Sequence, residues 1–370
     1  MRPQCQPLPD PTRFEVSLPL LQSGKGRHMT SRFRAAALVA ASLALPLSAC
    51  AGSSEAEPDT AADAPSGPWS FTDGSGEEVT LDETPTRIIA HGAAARALMS
   101  FGIKPVAIYA DESVETDPNL RDLDLDGIEI LGEEWGKIDV EKAASLRPDL
   151  IVADWWPAEE AHSGVEEGVE ARSKKIAELA PMVGATQGDS ILTLAETYED
   201  LAESLGADVD DPAIAADKER FEEVRAEFEE VAKSRDDLSV YAMSPYEDQV
   251  YVANPEYAPE LLDFIAWGLD LKAPDSPDAD FPYWETLSME NADKYQPDLI
   301  LWDDRDDLDN VGELNADYGK TQPTWFSVKA AEAGAVASWP AFWLHTYGDY
   351  ATQLEELTDA IRDADGTVGD

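Results

Sequence analysis

The chain has 370 residues and a formal net charge of −49, because 76 acidic residues outnumber 27 lysines and arginines. Counterion release on nucleic acid and adhesion to anionic lipid both need basic patches, so the composition argues against both partners. The length is sufficient for two domains of ordinary size. We interpret the acidic surface as an aid to solubility at high ionic strength, and the acidic run at residues 303–309 as a solvated face.

The first 68 residues are predicted to carry targeting signals and not a fold. Residues 1–28 lack secretory or fold-like patterning and are treated as an over-extended start. Residues 29–49 hold two arginines, a short apolar run and small residues, which is typical of a secretory signal peptide. The apolar run is shorter than the ~20 residues that a membrane-spanning helix needs.

The signal peptide ends at Cys50, and this pattern resembles the lipobox of bacterial lipoproteins, whose cysteine receives lipid and becomes the mature N-terminus. The alternative is an ordinary signal peptide with a cysteine beside its cleavage site. With Cys50 lipidated, the mature chain has no thiol left for a disulfide. Residues 50–68 are small, acidic and proline-containing, and they predict a flexible acidic tether.

Residues 69–188 are predicted to form an N-terminal α/β lobe. A hairpin is expected over residues 71–81, turning at residues 74–76. The strands that follow are predicted at 87–90, 105–109, 127–131 and 149–153, and the helices at 93–101, 140–146 and 173–179. Strands that alternate with helices of this length indicate a parallel sheet.

Residues 189–235 are predicted to be almost entirely helical. A first helix over residues 191–205 ends at Gly206, and a second starts at Pro212, which is favourable in a first turn. Apolar residues then recur at helical spacing: Ile214, Phe221, Val224, Phe228 and Val231. A helix of about twenty residues spans roughly 30 Å, so this one is suited to be a rigid strut between two halves.

Residues 236–362 are predicted to form a C-terminal α/β lobe, followed by a tail at 363–370. Its strands are expected at 238–243, 249–253, 298–302 and 335–338, with a helix at 261–267 and closing segments at 326–333 and 350–362.

One pattern occurs in both lobes, at residues 135–151 and 284–300, with seven identical positions and no gap. The shared residues are Trp135 and Trp284, Glu141 and Glu290, Ala143 and Ala292, and the run Pro-Asp-Leu-Ile that opens an apolar strand in each copy. In each copy a helix is predicted between the glutamate and the strand. A repeat of whole αβ units predicts two lobes of like construction, with a ligand cleft between them.

Together these features resemble the substrate-binding lipoproteins of ABC importers for iron–siderophores, haem and cobalamin. The resemblance covers about residues 69–362 and is carried by the lipobox, the segment PTRIIAHGAAARALMSFGIKPVAI, the units EKAASLRPDLIVA and MENADKYQPDLILW, the long helix, and TWFSVKAAEAGAVAS. It implies two α/β lobes with mostly parallel central sheets, joined by one long helix over residues 212–234 and closing little around the ligand.

The resemblance also implies that a glutamate on the outer surface of each lobe engages arginines of the membrane permease. The matching residues are Glu141 and Glu290. Physics offers a second interpretation, because a carboxylate in the first turn of a helix stabilises it by about 0.3–1 kcal/mol through the helix dipole. The two interpretations are compatible.

Ligands of open α/β sheets bind beyond the carboxyl ends of the strands. Residues after the predicted strands, and aromatic residues in predicted loops, are therefore the candidate ligand-binding set. These are His91, Arg96, Trp135, Trp155, Trp156, Tyr246, Trp284, Arg305 and Trp343, with Asp154 and His345 in the same segments. The loop tryptophans supply rigid contact area, whereas Trp267, Trp302 and Trp325 are predicted to lie in the core.

Charge selects the ligand class. A tri-anionic catecholate complex needs several converging cations, and Arg96 and Arg305 are the candidates. An aromatic, acidic cleft favours a neutral or cationic ferric hydroxamate, with a cation–π contribution. Cobalamin or haem is the alternative ligand.

The predicted function is that of an extracytoplasmic, lipid-anchored, monomeric binding protein that passes a ferric siderophore to ABC permease and ATPase subunits. It would lie on the outer face of the plasma membrane, or in a periplasm, and needs no cofactor beyond the iron of its ligand. A lipid-anchored hydrolase lacks support, because the chain has no G-x-S-x-G or H-E-x-x-H motif. A direct metal binder is disfavoured because His91, His162 and His345 are scattered, with His162 predicted at the surface.

Overall fold

The computed structural model describes residues 67–188, 190–279, 281–303, 311–339, 341 and 344–370. The predicted signal peptide, Cys50 and nearly all of the tether lie outside these residues, as do Arg305, Trp343 and most of the acidic run at 303–309. Among the described residues, no helix combines the length and apolar character that crossing a membrane requires.

The N-terminal lobe is built on a five-stranded sheet with the order β5-β4-β3-β6-β9, in which every pairing is parallel. Its strands are β3 (Ile88–His91), β4 (Ala107–Ala110), β5 (Glu129–Glu133), β6 (Leu150–Val152) and β9 (Met182–Val183). The central strands β3, β4 and β6 are buried along their whole length. Parallel strands covered on both faces give continuous apolar runs, which is why the sequence predicted them.

Shorter elements complete this lobe. The expected hairpin is formed by β1 (Trp69–Thr72) and β2 (Glu78–Leu81), and a second hairpin, which was not predicted, by β7 (Trp155–Trp156) and β8 (Ala161–His162). The helices are α1 (Gly92–Ser100) and α2 (Val140–Leu146). The helix predicted at 173–179 is a 3-10 helix over Ser173–Glu178.

Two helices connect the lobes: α3 (Ile191–Ser204) and α4 (Pro212–Ser234). α4 begins with Pro212 in its first turn, after an Asp211 side chain that accepts a hydrogen bond from the Ala213 amide. Its buried Phe221 and Phe228 rings pack on aromatic side chains of the C-terminal lobe. α3 packs against α1 and β1 of the N-terminal lobe and against α5 (Pro259–Ala266) of the C-terminal lobe, so both helices take part in the connection.

The C-terminal lobe has a mixed five-stranded sheet with the order β12-β11-β10-β13-β14. Its strands are β10 (Val240–Tyr246), β11 (Gln249–Ala253), β12 (Trp284–Ser288), β13 (Leu299–Asp303) and β14 (Val336–Trp339). β10, β13 and β14 are parallel, whereas β11 and β12 are antiparallel to their neighbours. The expectation of a mostly parallel sheet therefore fits the first lobe better than the second. The physical reason is that β10 and β11 are joined by a two-residue turn at Glu247 and Asp248. So short a connection joins only antiparallel strands.

Helices surround this second sheet. They are α5 (Pro259–Ala266), α6 (Val311–Thr321), α7 (Lys329–Ala333) and α8 (Tyr347–Asp363), with 3-10 helices at Pro255–Tyr257, Met289–Lys294 and Pro323–Ser327. Trp267, Trp302 and Trp325 are buried, as predicted for core residues. α8 packs along α4 and β14, and Asp349 in its first turn contacts Arg96 of the N-terminal lobe.

The repeated sequence occupies matching places in the two sheets. β6 and β13 are each the fourth strand of their sheet, next to β3 and β10 respectively. Asp149 accepts a hydrogen bond from the Arg87 amide (2.8 Å), and Asp298 accepts one from the Ser239 amide (2.9 Å). Each aspartate thus fixes the chain where it enters the neighbouring central strand, which explains why Pro-Asp recurs. The prediction of two lobes of like construction is confirmed.

The two copies differ in their helices, and here the sequence prediction needs correction. α2 is an ordinary helix whose cap, Asp139, accepts from the Lys142 amide (2.9 Å). The second copy forms a 3-10 helix with non-helical geometry at Asn291. Trp284 is the first residue of β12, paired with Ala253 and 4% exposed, so its placement in a loop was wrong. The Trp284 ring packs against Trp339, with ring centroids 5.9 Å apart, and this buried contact explains why the residue belongs to the strand.

Candidate ligand-binding site

Polar side chains lie at one edge of the N-terminal sheet, where its strands end. His91 is the last residue of β3, Asp111 directly follows β4, and Asp154 lies two residues beyond β6. Because these strands are parallel, their carboxyl ends meet at one edge. We call it the acidic edge, after Asp111 and Asp154, and we expect it to form one wall of the ligand cleft.

His91 is buried at this edge and forms an ion pair with the half-exposed Asp111. Its Nε2 donates to Asp111 Oδ2 at 3.1 Å, and its ring lies 5.4 Å from the ring of Tyr109. Burial lowers the pKa of His91, but the negative charges of Asp111, Asp154 and Asp117 outweigh it and raise the pKa to about 9. His91 is therefore a cation at neutral pH, and its Nδ1 has no hydrogen-bond partner among the described residues.

Trp135 is held in place by the loop over residues 163–169. Its indole Nε1 donates to Glu166 Oε1 at 2.9 Å. Gly168 has a φ of +96°, and a Cβ there would lie 2.7 Å from the indole ring. The glycine therefore both permits the turn and leaves room for the ring. Trp135 itself is half-buried and fixed at the rim of the acidic edge.

The hairpin β7–β8 carries Trp155 and Trp156, both half-buried. The Trp156 indole donates to Ser163 Oγ at 2.9 Å, and Trp155 packs against His162 at 5.0 Å between ring centroids. His162 was predicted at the surface, and this was wrong. Its Nε2 lies 3.0 Å from Asp73 Oδ2 in the β1–β2 hairpin, and burial lowers its pKa.

Arg96 is placed between the lobes and not at the acidic edge. Its guanidinium donates to Asp122 (2.7 Å) and to Asp349 (2.6 Å), which lies in the first turn of α8. Burial opposes its charge, but these two carboxylates more than compensate and raise its pKa. The positive charge of Arg96 is thus already neutralised by the protein.

A buried cluster around Asp154 joins the two lobes. His345, in the segment between β14 and α8, contacts Asp154 Oδ2 through Nε2 at 2.7 Å, and Gln187 donates to the same oxygen at 2.9 Å. Tyr198 of α3 donates to the other oxygen. Burial would raise the pKa of Asp154, but the His345 charge and these hydrogen bonds lower it to about 2. The sequence drew attention to Asp154 and His345 separately and missed their pairing.

The C-terminal lobe contributes an aromatic group that the sequence did not single out as a set. Tyr283 lies 5.3 Å from Tyr257 and 5.0 Å from Phe281, measured between ring centroids. Burial, followed by the charge of Glu159, raises the pKa of Tyr283. Since Glu159 belongs to the turn between β7 and β8, this hairpin and the tyrosine face each other across the lobe boundary. Tyr246, at the end of β10, is half-buried.

Comparison with known proteins shows which family and which solved structures this chain is similar to. Residues 79–341 match the model of a family described as periplasmic binding protein. DesE, a ferric-siderophore receptor protein from Streptomyces coelicolor, is 32% identical, with 80% of this chain and 99% of that chain covered and a TM-score of 0.71.

Two further solved structures share the fold at lower identity. The iron uptake ABC transporter substrate-binding protein PiuA from Streptococcus pneumoniae is 20% identical over 80% of this chain and 100% of that chain, with a TM-score of 0.54. FhuD2 from Staphylococcus aureus, solved with bound ferrioxamine B, is 20% identical over 75% and 98%, with a TM-score of 0.51. A comparison with curated proteins gives no match.

Proposed function

This chain belongs to the periplasmic binding protein family, and we propose that it captures a ferric siderophore between its lobes and delivers it to an ABC importer. The observation that carries the proposal is the 32% identity to a ferric-siderophore receptor over 99% of that receptor's chain. The partners would be the permease and ATPase subunits of the importer, and the protein would act as a monomer outside the cytoplasm.

The pairing of the two cations His91 and Arg96 with carboxylates favours a hydroxamate chelate. The His91 cation is paired with Asp111, and the Arg96 cation with Asp122 and Asp349. A tri-anionic catecholate complex would need free converging cations in their place. A neutral or cationic trihydroxamate avoids this electrostatic cost. The shared fold of FhuD2, solved with ferrioxamine B, is consistent with this choice.

Aromatic side chains would supply most of the contact area. Trp135, Trp155 and Trp156 lie on the N-terminal lobe, and Tyr246 and Tyr283 on the C-terminal lobe. Rigid aromatic rings bind an amphipathic chelate at low entropic cost. Trp284, being buried within β12, would act by supporting these residues.

The experiment is a titration of the purified protein, followed by tryptophan fluorescence, with ferrioxamine B, a ferric tricatecholate, cobalamin and haem. We expect a Kd below about 1 μM for the hydroxamate, and binding of the catecholate at least about a hundredfold weaker. Tight binding of the catecholate alone would overturn the hydroxamate assignment. Binding of cobalamin or haem alone would favour the alternative ligand, and recovery of a cleaved chelate would favour a hydrolase.

We further propose that a lipid on Cys50 anchors the protein to the outer face of the plasma membrane. The support is the sequence alone: two arginines, a short apolar run and small residues end at this cysteine. Cells grown with labelled fatty acid should yield labelled wild-type protein and unlabelled Cys50→Ser protein. Equal labelling of both would contradict the anchor.

A further inference from the structure

Glu166 is a buried carboxylate at the acidic edge of the N-terminal lobe that lacks a counter-cation. The residue is 8% exposed. Its Oε1 accepts the Trp135 indole hydrogen bond, whereas its Oε2 has no partner among the described residues. Within the same residues, no lysine, arginine or histidine lies at ion-pair distance from Glu166. A buried charge without a partner costs several kcal/mol, so this arrangement calls for a bound group.

The neighbouring carboxylates are compensated in other ways. Asp111 pairs with His91, and Asp154 pairs with His345. Asp117 accepts from the Asn119 amide at 2.8 Å and lies beside Gly92, at the positive end of α1. Burial and the charge of Asp111 raise the pKa of Glu166 by more than its backbone hydrogen bond, the His91 charge and the Trp135 indole lower it. A cation in contact with Oε2 would offset this remaining cost.

Two side-chain atoms at this edge, Glu166 Oε2 and His91 Nδ1, lack a hydrogen-bond partner within the residues that the structure describes, and they indicate which chemical groups a ligand must present to them. Glu166 Oε2 requires a hydrogen-bond donor and prefers a positively charged one. His91 Nδ1, carried by an imidazolium, offers a donor to a ligand oxygen. A metal ion fits less well, because no group of three His, Cys, Asp or Glu side chains in the described part of the chain could hold one. An ammonium group next to an amide or hydroxamate oxygen satisfies both atoms.

Resting on the proposed function, we infer that Glu166 binds a primary ammonium on the periphery of the hydroxamate chelate. The site thereby selects a chelate with a cationic arm over one in which that nitrogen is acylated. Trp135 fixes the carboxylate through Oε1, and Oε2 meets the ammonium.

The test is calorimetric titration with two probes that differ in this one group: ferrioxamine B, which carries a terminal ammonium, and its N-acetylated derivative. The proteins are the wild type, Glu166→Gln and Glu167→Gln. Glutamine keeps the acceptor for Trp135 and removes the charge. Glu167 is the adjacent glutamate, is exposed, and serves as the matched control.

We expect the wild type to prefer ferrioxamine B by roughly ten- to a hundredfold. Glu166→Gln should lower affinity for ferrioxamine B by that factor and change affinity for the acetylated probe by less than about twofold. Glu167→Gln should behave as the wild type. Because glutamine removes an uncompensated buried charge, the Tm of ligand-free Glu166→Gln should not fall below that of the wild type.

Three results would overturn the inference. Equal wild-type affinity for both probes would leave the hydroxamate assignment intact and remove the ammonium site. An equal loss for both probes in Glu166→Gln, accompanied by a lower Tm, would assign the residue a structural role. Binding of neither probe by the wild type would overturn the hydroxamate assignment itself, and the ammonium site with it.

Discussion

Replacing Asp154 by alanine is expected to lower the free energy of unfolding by about 3–5 kcal/mol, the usual cost of removing one partner of a buried ion pair. The change leaves His345 and Gln187 without their carboxylate and removes the acceptor of the Tyr198 hydroxyl. Asp154 and His345 are 2% and 0% exposed, so water cannot replace the lost partner. Chemical denaturation at pH 7 measures the difference.

The same interaction has a defined pH dependence. Asp154 has its pKa lowered to about 2 in the folded protein, below the ordinary value of 3.8. Its contribution to stability is therefore complete above pH 3.8 and is lost as the pH falls through 2. The difference in free energy of unfolding between the wild type and Asp154→Ala should therefore decrease as the pH is lowered from 3.8 to about 2.

A control separates this effect from a general effect of removing acidic side chains. The variant Asp236→Ala removes the same carboxylate at an exposed position in the turn between α4 and β10. Its free energy of unfolding should stay within about 0.5 kcal/mol of the wild-type value. If Asp154→Ala is as stable as this control, the Asp154 cluster does not hold the lobes together.

The strands and helices of the N-terminal lobe could be predicted because the sequence patterns that determine them are local. Buried parallel strands give continuous apolar runs, and the helices between them have recognisable ends. The C-terminal lobe was harder, since the turn at Glu247 and Asp248 contains neither glycine nor asparagine, the usual signal of a tight hairpin. β12 also carries the buried Glu285, which is satisfied by Lys294 and Tyr295, and a charged residue argues against a strand when its partners are unknown.

The candidate site was predictable in its positions and not in its partners. The rule that ligands bind at the carboxyl ends of strands singled out His91 and Asp154, which lie there. Asp111 lies there as well, and it was not among the predicted residues. Which side chains pair with the site residues depends on contacts between positions far apart in the sequence, such as Arg96 and Asp349. No local pattern reveals that such an arginine is already neutralised.

Glu166 illustrates the same limit. It stands beside Glu167 in a glycine-containing acidic segment that resembles a solvated loop. Gly164 and Gly168, which flank it, let the loop approach Tyr109 and Trp135 closely enough to bury one glutamate and expose the next. The two glycines were the available signal, and their meaning depends on rings that lie far away in the sequence.

Reversing the charges of Glu141 and Glu290 together, as Glu141→Arg and Glu290→Arg, is expected to abolish chelate uptake and leave the ligand Kd within about twofold. Both side chains are exposed. A helix that leads into a parallel strand runs antiparallel to it, so its first turn lies at the carboxyl edge where the cleft opens. The two glutamates thus hold equivalent places on the two lobes, suited to arginines of a permease, and like charges at an interface cost several kcal/mol.

The matched control is the double variant Glu203→Arg with Glu230→Arg, which makes the same change of net charge at exposed positions on α3 and α4. Uptake of radiolabelled ferric chelate by cells should fall at least about twentyfold in the first variant and remain near the wild-type rate in the second, because docking depends on local charge complementarity. Unchanged uptake in the first variant would remove both glutamates from the docking surface. Weaker ligand binding with a lower Tm would mean that these carboxylates stabilise their helices through the dipole and serve the fold.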